Sequence, residues 1–115
     1  MTIILDKEKI IKNIILDHSL IPIIEKAFIS ISEGLATTPP IMRLDVPEYH
    51  GEADVKSAYV KGMDSFAIKI AVGYFDNPSI GLPSSNGLMV LLDSKTGVIE
   101  CILLDEGYLT DIRTA

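Results

Sequence analysis

Two short joints constrain this chain more than any other feature. Lys61-Gly62-Met63-Asp64 and Ser94-Lys95-Thr96-Gly97 each separate apolar segments that alternate or run briefly without a helical period. A connection of hairpin length returns the chain as an antiparallel neighbour, because a parallel pair needs a crossover of about a dozen residues. Strands are therefore expected at about Ile41 to Val46, Asp54 to Val60, Phe66 to Tyr74, Leu88 to Asp93 and Val98 to Leu104. Between the third and fourth, Phe75 to Gly87 carries Pro78, Gly81, Pro83 and Gly87 and reads as a long loop of the kind that often holds function.

Before Pro39 and Pro40 the pattern is helical. A short strand at Ile3 to Leu5 leads to Asp6, which can cap a helix whose Ile10, Ile11, Ile14 and Ile15 recur on one face. A second helix is expected from Ser19 or Leu20 to Glu33. Pro22 is tolerated in its first turn, Ile23, Ile24, Ala27, Phe28 and Ile31 are read as inward, and Gly34 is read as the stop. The expected class is α+β, with two N-terminal helices packed on a mostly antiparallel sheet.

A length of 115 residues gives one domain and leaves no room for a nucleotide-binding Rossmann unit beside a substrate domain. The net charge of -6 makes nucleic acid and anionic membranes poor partners. Thr2 to Leu5 is too short for a membrane span and lacks the basic flank of a leader, so a cytoplasmic protein is expected. Cys101, in an apolar run, is read as a small buried hydrophobe that fits a reducing compartment. His18 and His50 have no ligand-type neighbours, and no metal site is expected.

The residues able to carry chemistry are few. Only two of the ten cationic side chains are arginines, Arg43 and Arg113, and a guanidinium can hold a carboxylate through two parallel hydrogen bonds. Arg43 lies in a strand whose Met42, Leu44 and Val46 face the other way, so its own face is solvent or a cleft. Lys69 lies in the most strand-like segment, where Ala67, Ala71 and Gly73 share its face. Those small neighbours leave room for a ligand beside the ammonium; the competing reading is an edge-strand lysine placed against aggregation. The 81–87 loop lacks both common nucleotide-binding glycine patterns. Asp105, Glu106 and Asp111 gather where a helix is expected to start, which capping explains.

The C-terminal run Leu109-Thr110-Asp111-Ile112-Arg113-Thr114-Ala115 resembles the Leu-Thr-x-x-Arg-Thr-Ala signature of the ornithine cyclodeaminase and mu-crystallin family. Pro39-Pro40-Ile41-Met42-Arg43, Ala67-Ile68-Lys69-Ile70, Asn77-Pro78 with Gly81-Leu82-Pro83, Gly87 and Thr96-Gly97 agree with it in order and spacing. The wording Lys56-Ser57-Ala58-Tyr59-Val60 looks closest to the ectoine-utilisation-like branch, and Ser57-Ala58-Tyr59 replaces a Met-Pro-Ala stretch of some members.

The resemblance implies an NAD- or NADP-dependent enzyme acting on an amino acid or cyclic imine, of which residues 1–115 form the substrate-binding and dimerisation domain. By matched position Arg43, Lys69 and Arg113 would bind the substrate carboxylate. Lys69 would be the catalytic residue at the reacting centre, and Ser84 and Arg113 would reach toward the cofactor. A homodimer is the expected assembly, also because a chain with a mean hydropathy of +0.35 and no second domain should expose an apolar patch. Family members continue into a dinucleotide-binding domain that carries a catalytic aspartate. The chain is therefore expected to be a truncated portion that binds no cofactor and turns nothing over alone; the alternatives are a non-catalytic dimeric module for a small amino acid and a remnant that only folds.

Overall fold

The computed structural model describes residues 2–13 and 20–108. Seven strands form one sheet: β1 (Ile3–Asp6), β2 (Ala36–Thr37), β3 (Met42–Val46), β4 (Gly51–Val60), β5 (Ser65–Tyr74), β6 (Ser85–Asp93) and β7 (Ile99–Leu104). The spatial order is β1-β7-β6-β5-β4-β2, with β3 also paired to β4. The two short joints make antiparallel hairpins of β4 with β5 and β6 with β7, and the Ser94 N–H donates to the Asp64 carbonyl at 2.9 Å, tying their turns together.

The five expected strands are present. β4 and β6 each begin three residues earlier than alternation alone indicates, so β6 takes over the end of the 75–87 loop, which also holds a 3-10 turn at Asn77–Ile80. Two pairings could not be read locally. β1 runs parallel to β7, Ile3 opposite Cys101, and β2 has only two residues, paired with Tyr59 and Val60.

Helix α1 (Lys7–Asn13) starts where Asp6 predicts: the Lys9 N–H donates to Asp6 Oδ1 at 2.9 Å, a cap that contributes about 1 kcal/mol. It lies against β1 and β7 and buries Ile10 to 2% exposure. Ile11, expected beside it, is instead exposed. Helix α2 (Leu20–Ser32) carries Pro22 in its first turn and ends before Gly34 at φ +73°. It lies beside β2, and Ile23 and Ile31, read as inward, are 64% and 55% exposed. A helical period marks a stripe as apolar, but a side chain is buried only where a surface meets it, and among the described residues none covers Ile23 or Ile31. Ile14, Ile15, the side chains of Ile24, Ala27 and Phe28, and the helix expected after Gly107 lie outside the described residues. No described helix is long and apolar enough to cross a membrane.

The outer edge of β4 is shared. β3 pairs with residues 51–55 and β2 with residues 59–60, leaving Lys56, Ser57 and Ala58 without a strand partner on that side. Thr38, Pro39, Pro40 and Ile41 bridge the interval; proline lacks the N–H a ladder needs, so the edge breaks there.

Candidate functional site

A cavity of about 340 Å³ opens at this interrupted edge. Pro39, Ile41 and Met89 form apolar wall, Ala58 and Ala67 supply space, and Lys56 and Lys69 supply charge. Lys69 is on β5, which has β4 on one side and β6 on the other, so the edge-strand reading of this lysine fails. The side chain is half-buried, and an ammonium in such a place can hold a carboxylate or move a proton at an imine or carbonyl.

Register places Arg43 on the same face. It is opposite Asp54, two residues along β4 from Lys56, which is opposite Lys69; strand spacing of about 4.8 Å and a rise of about 3.4 Å per residue put the Arg43 and Lys69 backbones roughly 12 Å apart. The guanidinium is engaged by acids of its own face. Arg43 Nε donates to Asp45 Oδ1 at 3.1 Å, and Nη2 donates to Glu52. The hydrogen bond to Asp45, followed by the charge of Glu52, raises its pKa above the usual arginine value. Arg43 is thus oriented by two carboxylates, and further N–H groups of the fork remain to meet a ligand.

Ser84 is half-buried just before β6, and its carbonyl accepts the Tyr74 N–H at 2.7 Å. The next residue, Ser85, pairs with Gly73 on the Lys69 face. A Cβ on Gly107 would lie 4.0 Å from Ser85 Cβ, so the start of the C-terminal segment comes to this end of the sheet. Arg113 lies outside the described residues. Asp105, expected at a solvated helix start, is 4% exposed, and its carbonyl accepts the Tyr108 N–H at 2.9 Å.

Cys101 is half-buried in β7 rather than fully covered. His50 and Asp76 face each other in solvent, with His50 Nδ1 3.4 Å from Asp76 Oδ2, and no group of three metal-ligating side chains occurs among the described residues. Lys56 was not singled out as a site residue in the sequence. A signal existed: Lys56 and Lys69 are equidistant from the Gly62–Met63 junction, so a tight hairpin must set them opposite one another.

The sequence profile described as Ornithine cyclodeaminase/mu-crystallin family matches residues 1–115, and the chain belongs to that family. A Rhizobium meliloti (strain 1021) relative, whose name assigns it provisionally to the dehydrogenases, is 59% identical over 100 residues, covering 87% of this chain and 30% of the relative. An uncharacterized cyclodeaminase of Sinorhizobium fredii (strain NBRC 101917 / NGR234) is 56% identical over 101 residues, with the same shares. The chain thus spans less than a third of the length of these relatives.

Among solved structures, Thermococcus litoralis Delta(1)-pyrroline-2-carboxylate reductase in complex with NADH and L-proline superposes at a TM-score of 0.89 with 27% identity, covering 97% of this chain and 34% of that one. An archaeal alanine dehydrogenase dimer with bound NAD superposes at 0.86 with 28% identity, covering 98% and 33%. The sheet described above therefore recurs in both of these proteins, one bound to NADH and L-proline and the other to NAD.

Proposed function

We propose that this chain is the substrate-binding and dimerisation part of an NAD- or NADP-dependent enzyme acting on an amino acid or cyclic imine. The observation that carries the reading is the position of Lys69. It stands on a central strand, on the small-residue face, inside the cavity at the broken edge of β4. Arg43 shares that face, and Arg113 is assigned by its family position to the same carboxylate. Fixing the carboxylate orients the α-carbon, and nearby cations disfavour a charged α-amine, which eases imine chemistry.

The described residues do not by themselves fit a nicotinamide dinucleotide. A pyrophosphate bed needs a glycine-rich turn that opens a helix. The described strand-to-helix junction, from β1 to α1, is capped by the Asp6 carboxylate, which repels phosphate. Contact with the cofactor from this part is therefore assigned to Ser84 and Arg113 alone, and hydride chemistry to the remainder of a family member. Read this way, the chain binds and orients; a non-catalytic amino-acid-binding module is the second reading, which the cavity beside Lys69 would serve equally well.

Calorimetry with a panel of L-amino acids tests the site. Binding is expected, and Lys69→Ala is expected to weaken it about 10- to 100-fold, the range for losing a hydrogen bond to a charged group, with the melting temperature little changed. Full affinity in Lys69→Ala, or no heat with any amino acid, removes the reading. Turnover of the bound amino acid with NAD or NADP, once this part is joined to the dinucleotide-binding domain of a family member, would separate the enzyme part from the non-catalytic module.

A further inference from the structure

Lys56 and Lys69 are directly opposite one another in the β4–β5 register and point to the same face. Side chains so placed start about 5 Å apart at Cβ, and like charges there destabilise a sheet. Both are half-buried, and both line the cavity whose remaining wall is largely apolar. The acids of this face do not relieve Lys56. Asp45 and Glu52 are committed to Arg43, with Asp54 also in its field, and among the described residues Lys56 forms no ion pair. A chain with a net charge of -6 thus gathers two cations where the pairing along the outer edge of β4 is interrupted.

We propose that Lys56 is the specificity residue of this cavity and that the substrate class is a dicarboxylic amino or imino acid. The proposal rests on the reading of the site given above, narrowed to Lys69 as the holder of the α-carboxylate within this cavity. Lys56 then meets the second carboxylate, carried by the substrate side chain. A neutral side chain would leave the Lys56 ammonium uncompensated beside Lys69, and a basic one would add a third positive charge. The order of preference is acidic, then neutral, then basic. At about 340 Å³ the cavity is near the small end of ligand sites, which run from about 300 to 1,000 Å³, and suits a short dicarboxylic acid.

The experiment compares ligands that differ only in that charge. Calorimetry on the 115-residue chain should show L-glutamate binding about tenfold or more tighter than L-glutamine, and L-aspartate tighter than L-asparagine by a similar factor. In Lys56→Met the two members of each pair should bind within about threefold of one another. In Lys56→Glu the order should invert, with L-lysine and L-ornithine ahead of L-glutamate. The melting temperature of ligand-free Lys56→Met should equal or exceed that of the parent, since a repulsion is removed.

Equal binding of glutamate and glutamine by the parent overturns the substrate class and leaves the carboxylate site standing, as does a glutamate preference that survives Lys56→Met. Absence of heat with every ligand overturns both. Inorganic phosphate binding more tightly than glutamate, and lost in Lys56→Met, would make the lysine pair a phosphate site and also defeat the proposal.

Discussion

The two faces of the sheet differ more than any two elements of the chain. One face carries Arg43, Glu52, Asp54, Lys56 and Lys69, separated by Ala67, Ala71, Gly73 and Gly87, with Met89 and Leu91 bordering them on β6. The other carries Met42, Leu44, Val55, Ile68, Ile70, Val72, Leu88 and Val90, with hardly a polar atom in the centre. Both arise from the same period of two, so a single register separates chemistry from adhesion. The apolar face is also unfinished: Met42 and Leu44 are each 60% exposed at the β3 edge. Exposed apolar area of this kind is the usual mark of an interface, which supports the homodimer we propose, with the polar faces left free to bind substrate.

The largest effect should therefore come from charging the apolar face. Leu44 is already exposed, so Leu44→Glu should leave the fold and melting temperature nearly intact. Sedimentation at tens of micromolar should show the parent as a dimer and Leu44→Glu as a monomer, with association weakened at least about a hundredfold. A parent that sediments as a monomer would break the assignment of the two faces to two tasks.

The polar face raises a separate question: whether its small residues serve the ligand or the sheet. Gly87 answers for the sheet, because an added Cβ would sit 2.4 Å from the Ile70 carbonyl oxygen on the neighbouring strand. Backbone cannot give way as a flexible side chain does, so Gly87→Ala should destabilise the chain by about 1–3 kcal/mol, read as a lower denaturation midpoint. Ala67 and Ala58 instead line the cavity, and Ala67→Ser should be nearly neutral for stability. If the two substitutions cost the same, the face is small for one reason only.

What the sequence disclosed follows the range of each interaction. Alternation and two tight joints are local, and they placed the central strands and the side of the sheet on which Lys69 and Arg43 stand. The Asp6 cap and the Gly34 stop are local as well. The parallel pairing of Ile3 with Cys101 is set by contacts far apart in the chain, and β2 is too short to leave a pattern. Burial was the least legible property. Ile23 and Ile31 have the spacing of a core face and remain exposed, because a helical stripe names a surface without naming its cover. Lys56 escaped notice for a related reason: its partner becomes visible only when the hairpin is folded and the register counted.

Register itself suggests the smallest prediction. Asp93 closes the β6–β7 hairpin, where its Oδ1 accepts the Lys95 N–H at 2.8 Å and the Thr96 N–H at 2.9 Å. These two hydrogen bonds, that from Lys95 the stronger influence, hold the carboxyl below the usual aspartate range. A carboxylate whose pKa is depressed by folding contributes stability that is present above the unfolded-state value and lost as pH falls through the folded one. Asp93→Ala should therefore lower the melting temperature slightly at neutral pH, and the difference from the parent should shrink as the pH drops below the ordinary aspartate range. A difference that stays constant into acid would mean that the turn is held by backbone shape, with Gly97 at φ +71° as its main determinant. The separation of the two faces would then owe nothing to this charge.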